Sequence, residues 1–269
     1  MSDNASKWSA TANSYSTTVV KLTGQGGEVL LRLVESVRPF DDSAVVLDSG
    51  AGSGALTALL RQKSSKMHIV AADVAPGMLE MLAKRDIPNL KTLLLDASGD
   101  HVAQGLQENC FTHALTTFML QFINPGKQAV AEMYRVLQSG GIIGNAIWSS
   151  SGCTDLWSRA VRTVDPSFEP RDMWTEDIRS PKDLEQAYAE AGFVDIKTTE
   201  TPMYLEFDNA EGFVDYFIGA GNPFFGLVKA TWTGGKAEDV RDELVKIVRE
   251  HYDNGKIPFV AACVVARKP

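Results

Sequence analysis

Three apolar runs in this chain each end on an aspartate: "VVLD" at 45–48, "HIVAAD" at 68–73 and "KTLLLD" at 91–96. Asp48, Asp73 and Asp96 fall 25 and 23 residues apart. The segments between them, "ALTALLRQ" and "PGMLEMLAKR", carry helical spacing, and Pro76 suits a first helical turn. Strands that are apolar throughout, alternating with helices, imply a parallel sheet covered on both faces. In such an open α/β sheet the carboxyl ends of the strands line the ligand crevice. Three carboxylates are therefore expected at one ligand site.

The alternation continues. Residues 26–38 pattern as a helix ending before Pro39, "THALTTFML" as a fourth strand, 126–138 as a helix and "IIGNAIW" as a fifth strand. After residue 150 the pattern weakens, then resumes with a helix at 181–191, a strand at 193–199 and a final strand "PFVAACVVA". Residues 208–255 hold two expected helices. The division predicted is one domain, 1–269, with a core over about 40–150, 180–207 and 257–269. A helical lid over about 1–38, 150–178 and 208–255 covers the crevice.

Composition narrows the partner. Twenty-six basic against 34 acidic residues leave a net charge of −8, which disfavours nucleic acid. Cys110, Cys153 and Cys263 suit neither a disulfide framework nor a metal site, so a reducing, cytoplasmic setting is expected. No apolar run is long enough to span a membrane.

The turn "GAGSGA" at 50–55 fits two glycine patterns: one for dinucleotides, the other the denser G-x-G-x-G. A tight strand-to-helix turn with no ligand is a third reading. Charge separates the two cofactors. A dinucleotide brings a pyrophosphate, which Asp48 repels. S-adenosylmethionine brings a sulfonium and an ammonium, which Asp48 favours. Asp73 would then take both ribose hydroxyls, Asp96 the adenine amino group and Ala97 N–H a ring nitrogen, with Met78 over one adenine face.

"VVLDSGAGSG", "AADVAPGMLEML", "LLLDA" and "AEMYRVLQSGGII" occur in the order of the motifs of class I S-adenosylmethionine-dependent methyltransferases, which the chain resembles. It is most similar to the ubiquinone/menaquinone-biosynthesis type. "KLTG" and the terminal "HYDNGKIPFVAACVVARKP" further resemble fungal natural-product methyltransferases, including the gliotoxin-type thiol-methylating enzymes. The resemblance implies a Rossmann-like, doubly wound, mostly parallel seven-stranded sheet with an antiparallel last strand. It implies that Gly50, Gly52 and Gly54 lie under the methionine part of the donor and that Asp73, with Val74 beside it, binds the ribose. Asp96 and Ala97 would bind the adenine, Thr117 and Phe118 border the methionine end, and Tyr15 and Thr23 close over it.

The chain lacks the acidic cluster of metal-dependent catechol methyltransferases, so no metal is expected. It lacks the Asn/Asp-Pro-Pro-aromatic motif of nucleic-acid amino-methylating enzymes; strand four ends "TTFML". A small-molecule acceptor follows, with Trp148, Trp174 and Phe224 expected in its apolar wall. His113 is expected as a satisfied core residue and His101 as a solvated one, which leaves no general base. That absence favours a sulfur, nitrogen or acidic hydroxyl acceptor. The expected assembly is a monomer or homodimer. The alternatives are a non-methylating protein on the same scaffold and an NAD(P)-dependent reductase.

Overall fold

The computed structural model describes residues 5, 6, 8, 9, 18–171, 173–219 and 223–269. Seven strands form one sheet: β1 Val45–Ser49, β2 His68–Asp73, β3 Leu90–Leu94, β4 Phe111–Thr117, β5 Leu137–Ser151, β6 Val194–Glu206 and β7 Lys256–Arg267. Their spatial order is β3-β2-β1-β4-β5-β7-β6. β1 to β5 run parallel, and β7 is antiparallel to β5 and β6. From β1 the chain builds outward to β2 and β3, then returns to place β4 on the other side of β1. The order thus reverses between β1 and β4, and a crevice opens at their carboxyl ends.

Period-two alternation explains why both faces are covered. Val46, Ile69, Leu115 and Ile142 pack against α1 (Thr18–Glu35) and α2 (Ala55–Lys63). Their neighbours Leu47, Ala114 and Ile143 pack with α4 (Gly126–Val136) and α6 (Pro181–Ala191) on the opposite face. Between these in the chain, α3 (Pro76–Ala83) buries Leu82 against Ala51 and Ala71. Ser180 and Asp183 form a reciprocal capping box that starts α6, and Gly192 in the left-handed region ends it.

Several element limits differ from expectation. α1 begins by Thr18 because Val19 and Leu22 extend its buried face, and it ends at Glu35. β4 stops at Thr117: Phe118 has φ +55 and breaks the strand, and a 3-10 turn follows over Leu120–Phe122. β5 and β6 are longer than expected, because antiparallel pairing with β7 continues past the core to Phe259 and Lys256. Residues 208–255 contain three helices rather than two: α7 Ala210–Ile218, α8 Pro223–Ala230 and α9 Arg241–His251, with a 3-10 turn over Ala237–Val240. The third arises because "PFFG" at 223–226 is helical where the glycines suggested a loop. With α5 (Gly152–Val164) these helices bury Trp157, Phe217, Phe225 and Leu244 in the cluster that holds Val46 and Ile69, so cover and sheet share one apolar core.

Candidate functional site

The glycine turn joins β1 to α2 beside the point where the strand order reverses. Gly50, Gly52 and Gly54 have φ of +72°, +54° and +89°, a region costly for any residue with a Cβ. Their surroundings differ. A Cβ on Gly50 would strike Met119, and one on Gly54 would strike Leu82. A Cβ on Gly52 would meet no protein atom within 4 Å, because it would project into a cavity. Four of the turn's N–H groups are bonded within the protein. Gly50 and Ala51 donate to Ala72 O, Gly54 to Ala51 O, and Gly52 to Asp73 Oδ2 at 2.8 Å. A pyrophosphate cradle needs such groups free and aimed at the anion. Here one of them already holds a carboxylate.

The cavity has a volume of about 300 Å³. Gly50, Gly52, Asp73, Val74, Met78, Asp96, Ala97, Thr117 and Phe118, all expected at the site, line it together. Asp73 ends β2, and its Oδ1 also accepts from Ala75 N–H at 2.8 Å. Both oxygens are thereby fixed in direction and keep lone pairs for a ligand. Burial pushes this carboxyl above the usual range, against the pull of those N–H groups. Asp96 is exposed and turned by Ser98, whose N–H and hydroxyl donate to Oδ1 at 2.9 and 2.7 Å. Phe118 closes the far end. Its left-handed backbone aims the ring toward α1, where Gly26 leaves room: a Cβ there would lie 2.5 Å from the ring.

Other expected residues stand elsewhere. Asp48 is corrected from the cavity wall to the interior. It is 1% exposed, and its Oδ2 accepts from Thr57 of α2 at 2.5 Å. Oδ1 has no partner among the described residues. Burial, reinforced by Asp73, pushes this carboxyl up to about 7. Gly54 lies under Leu82, away from the cavity lining. Thr23 is buried in α1 with its hydroxyl on Val19 O, so it also leaves the lining. Tyr15 lies outside the described residues. His101, expected in solvent, is fully buried, with Nε2 bonded to Ala97 O at 3.1 Å. His113 is held between Thr112 and Arg38 O, and burial lowers it to about 4. Among the described residues no cluster of His, Cys, Asp or Glu could hold a metal. No described helix is long and apolar enough to cross a membrane.

A second, small space of about 10 Å³ adjoins the first and is lined by apolar and aromatic side chains. Trp148 and Phe224 line it with Phe118, Phe225 and Phe259. Trp148 stacks at 4.0 Å on Phe118, between centroids, and lies 5.7 Å from Phe224. Trp174 sits beside this group, 5.4 Å from Phe122 and 6.3 Å from Phe224. Sequence reasoning missed Gln121, which is fully buried. Its Oε1 accepts from Trp148 N–H at 2.7 Å and its Nε2 donates to Trp148 O at 2.9 Å. The carboxamide thus stands in for a strand partner just past the last β4–β5 pair, Thr117 and Ala146. Trp8, Met119 and Phe122 of the cavity lining were also missed. They come from a polar terminus and from the irregular stretch after β4, where no periodic pattern marks them.

A family model for a methyltransferase domain matches residues 47–144. The chain is 22% identical over 252 residues to the methyltransferase tpcH of Aspergillus fumigatus, covering 84% of this chain and 85% of that protein. It is 34% identical over 96 residues to the demethylmenaquinone methyltransferase of Renibacterium salmoninarum, covering 36% and 38%. Among solved structures it resembles the phosphoethanolamine N-methyltransferase 2 of Haemonchus contortus in complex with S-adenosyl-L-methionine. That match has a TM-score of 0.54 at 14% identity and covers 90% of this chain and 52% of that one.

Proposed function

We propose that this chain is a class I S-adenosylmethionine-dependent methyltransferase and that it methylates a sulfur, nitrogen or acidic hydroxyl of a neutral, apolar natural product, without a metal. One observation carries the reading of the donor side. The N–H groups of Gly50, Ala51, Gly52 and Gly54 are given to the protein's own carbonyls and to Asp73, while two carboxylates stand on the cavity wall. That arrangement suits a ligand rich in hydroxyls and positive charge and does not suit a diphosphate.

The residues present fit the donor. Asp73 would accept its ribose hydroxyls, Asp96 and Ala97 would meet the adenine, Met78 would cover it, and Gly50 and Gly52 would admit the amino-acid part. Asp48 would act from behind the turn. Bound S-adenosylmethionine supplies a methyl group on a positively charged sulfur that departs as a neutral thioether, so no acid is needed to release it. The protein's own task is to orient and to exclude water. Phe118 and Thr117 would border the reacting end, and Trp148, Phe224 and Trp174 would hold the acceptor's apolar body.

No charged side chain is among the described residues of the second space. A phosphorylated or carboxylated acceptor would find no counter-charge there, and no general base stands among its described lining residues. The acceptor would lose its proton to water, or arrive ionised. The similarity to an Aspergillus methyltransferase over most of both chains supports methyl transfer as the reaction. We take residues about 40–150, 180–207 and 257–269 as the core and residues about 1–38, 150–178 and 208–255 as the lid, in a cytoplasmic monomer or homodimer.

Calorimetry with S-adenosylhomocysteine tests the donor side directly, and binding with a 1:1 stoichiometry is expected. A mass-spectrometric screen of neutral thiols, amines and phenols should then show a methylated product. Binding of a nicotinamide dinucleotide in its place would overturn the reading.

A further inference from the structure

Asp96, Ala97 and Ser98 of the donor cavity stand past the last β2–β3 pair, Asp73 and Leu94. Strand pairing ends before them, and side chains of their own loop hold their backbone instead. Gln104 folds back over the loop. Its Oε1 accepts from Asp96 N–H at 2.7 Å, and its Nε2 donates to Asp96 O at 3.0 Å. The same Nε2 reaches Asp100 O at 3.2 Å. One carboxamide thus takes both the N–H and the C=O of Asp96 and ties them to the far side of the loop. Gly99 N–H shares Asp96 O at 3.0 Å.

The next carbonyl is held as well. His101, fully buried, meets Ala97 O through Nε2 at 3.1 Å, and since a carbonyl only accepts, Nε2 carries the proton. His101 N–H donates to Glu132 Oε2 at 2.8 Å and Arg135 pairs with Asp100 at 2.6 Å, so α4 anchors the loop from behind. Ser98 holds Oδ1 of Asp96, which fixes the carboxylate along with its backbone. Gly99 makes room for the clamp: a Cβ there would stand 2.7 Å from Gln104 Nε2.

We propose that Gln104 is a positioning residue for the adenine end of the donor, holding the Asp96 carboxylate and the Ala97 N–H in the register that accepts adenine and refuses hypoxanthine. The proposal rests on the donor reading above. Asp96 O and Ala97 N–H belong to one peptide group, and in a trans peptide they point in opposite directions. A clamp on Asp96 O therefore aims Ala97 N–H. Adenine offers an amino donor beside a ring-nitrogen acceptor, which a carboxylate and an N–H complement. Hypoxanthine places an oxygen and a ring N–H there, so both contacts become repulsive. The discrimination lasts only while carboxylate and N–H keep a fixed relation, which is what the carboxamide supplies.

Calorimetry on the full chain with S-adenosylhomocysteine and with S-inosylhomocysteine, in which hypoxanthine replaces adenine, tests this. The wild type should prefer the adenosyl compound by about thirtyfold or more. Gln104→Met keeps the length of the side chain and removes both polar atoms. It should weaken S-adenosylhomocysteine about tenfold and S-inosylhomocysteine less than about threefold, so that the preference shrinks. Gly99→Ala leaves Gln104 and every cavity-lining residue in place and displaces only the carboxamide; the same loss of preference is expected. Gly99→Ala carries the test if Gln104→Met fails to fold. A wild-type preference in the variant that carries the test would overturn the proposal. So would an equal loss for both ligands, which would make Gln104 a support of the loop alone, or a wild type that binds both ligands alike. A wild type that binds neither would instead overturn the donor reading on which the proposal rests.

Discussion

The proposed donor cavity and the proposed acceptor space meet at Phe118, and they are built in opposite ways. The donor side is shaped by backbone: positive-φ glycines, N–H groups folded onto carbonyls, and a carboxylate held by two N–H groups at the end of β2. The acceptor side is shaped by side chains. Its wall gathers Val19, Leu22, Trp148, Leu205, Phe224 and Phe259 from five separate elements. A backbone-made site tolerates little change at a few positions. A side-chain-made site tolerates substitution at many, provided that volume and apolarity are kept.

The sharpest way to break this contrast is at neighbouring glycines. Gly52→Val places a branched side chain into the cavity while meeting no protein atom at its Cβ. Binding of S-adenosylhomocysteine should fall by about a hundredfold or more, on the order of 3 kcal/mol. The melting temperature should fall only by what the left-handed backbone costs. Gly54→Ala lies two residues away and drives a methyl into Leu82. It should lose stability, on the order of 1–3 kcal/mol, before it loses affinity. Equal effects of both variants on binding would mean that the turn acts as one unit and that the cavity does not select Gly52.

The same contrast explains what could be read from the sequence. Asp73, Asp96 and the glycines were legible because a strand end and a tight turn occupy consecutive residues, so spacing alone places them. Asp48 satisfied the same pattern yet turned inward, because its orientation depends on Thr57 of the next helix. Strand periodicity says which face a residue takes, and it says nothing of the partner waiting there. Trp8 and Gln121 were invisible for the converse reason. One lies in a polar terminus and the other in a 3-10 turn, and neither segment has a period to read. The third lid helix was missed because glycine and proline signal turns in short range, whereas Phe224 and Phe225 are held by contacts from α7 and from Trp148.

Asp48 sharpens the comparison from beneath the turn. Its folded-state carboxyl titrates at about 7, against 3.8 for the free group, chiefly through burial. A raised carboxyl favours folding while it is protonated, so its contribution is full at low pH and is lost as pH rises through about 7. Asp48→Asn keeps an oxygen for Thr57 and cannot ionise. Relative to this variant, the wild type should lose about 2–3 kcal/mol of unfolding free energy between pH 5 and pH 8 in urea titrations. Parallel pH profiles for the two proteins would show that Asp48 has found a cation or water that keeps its charge.

The smallest effects are expected in the acceptor wall, and their distribution matters more than their size. Trp148→Ala removes the ring that stacks on Phe118 and touches Phe224 and Phe259. With an acceptor found in the product screen, its KM should rise about tenfold while S-adenosylhomocysteine affinity changes less than about threefold. Phe224→Leu keeps most of the apolar volume and should raise KM only about threefold, again sparing the donor side. If Phe224→Leu instead weakens donor and acceptor alike, the two spaces do not divide at Phe118, and the lid is part of the donor site. If the donor side is spared, acceptor preference can drift by single apolar substitutions while the glycine turn stays fixed.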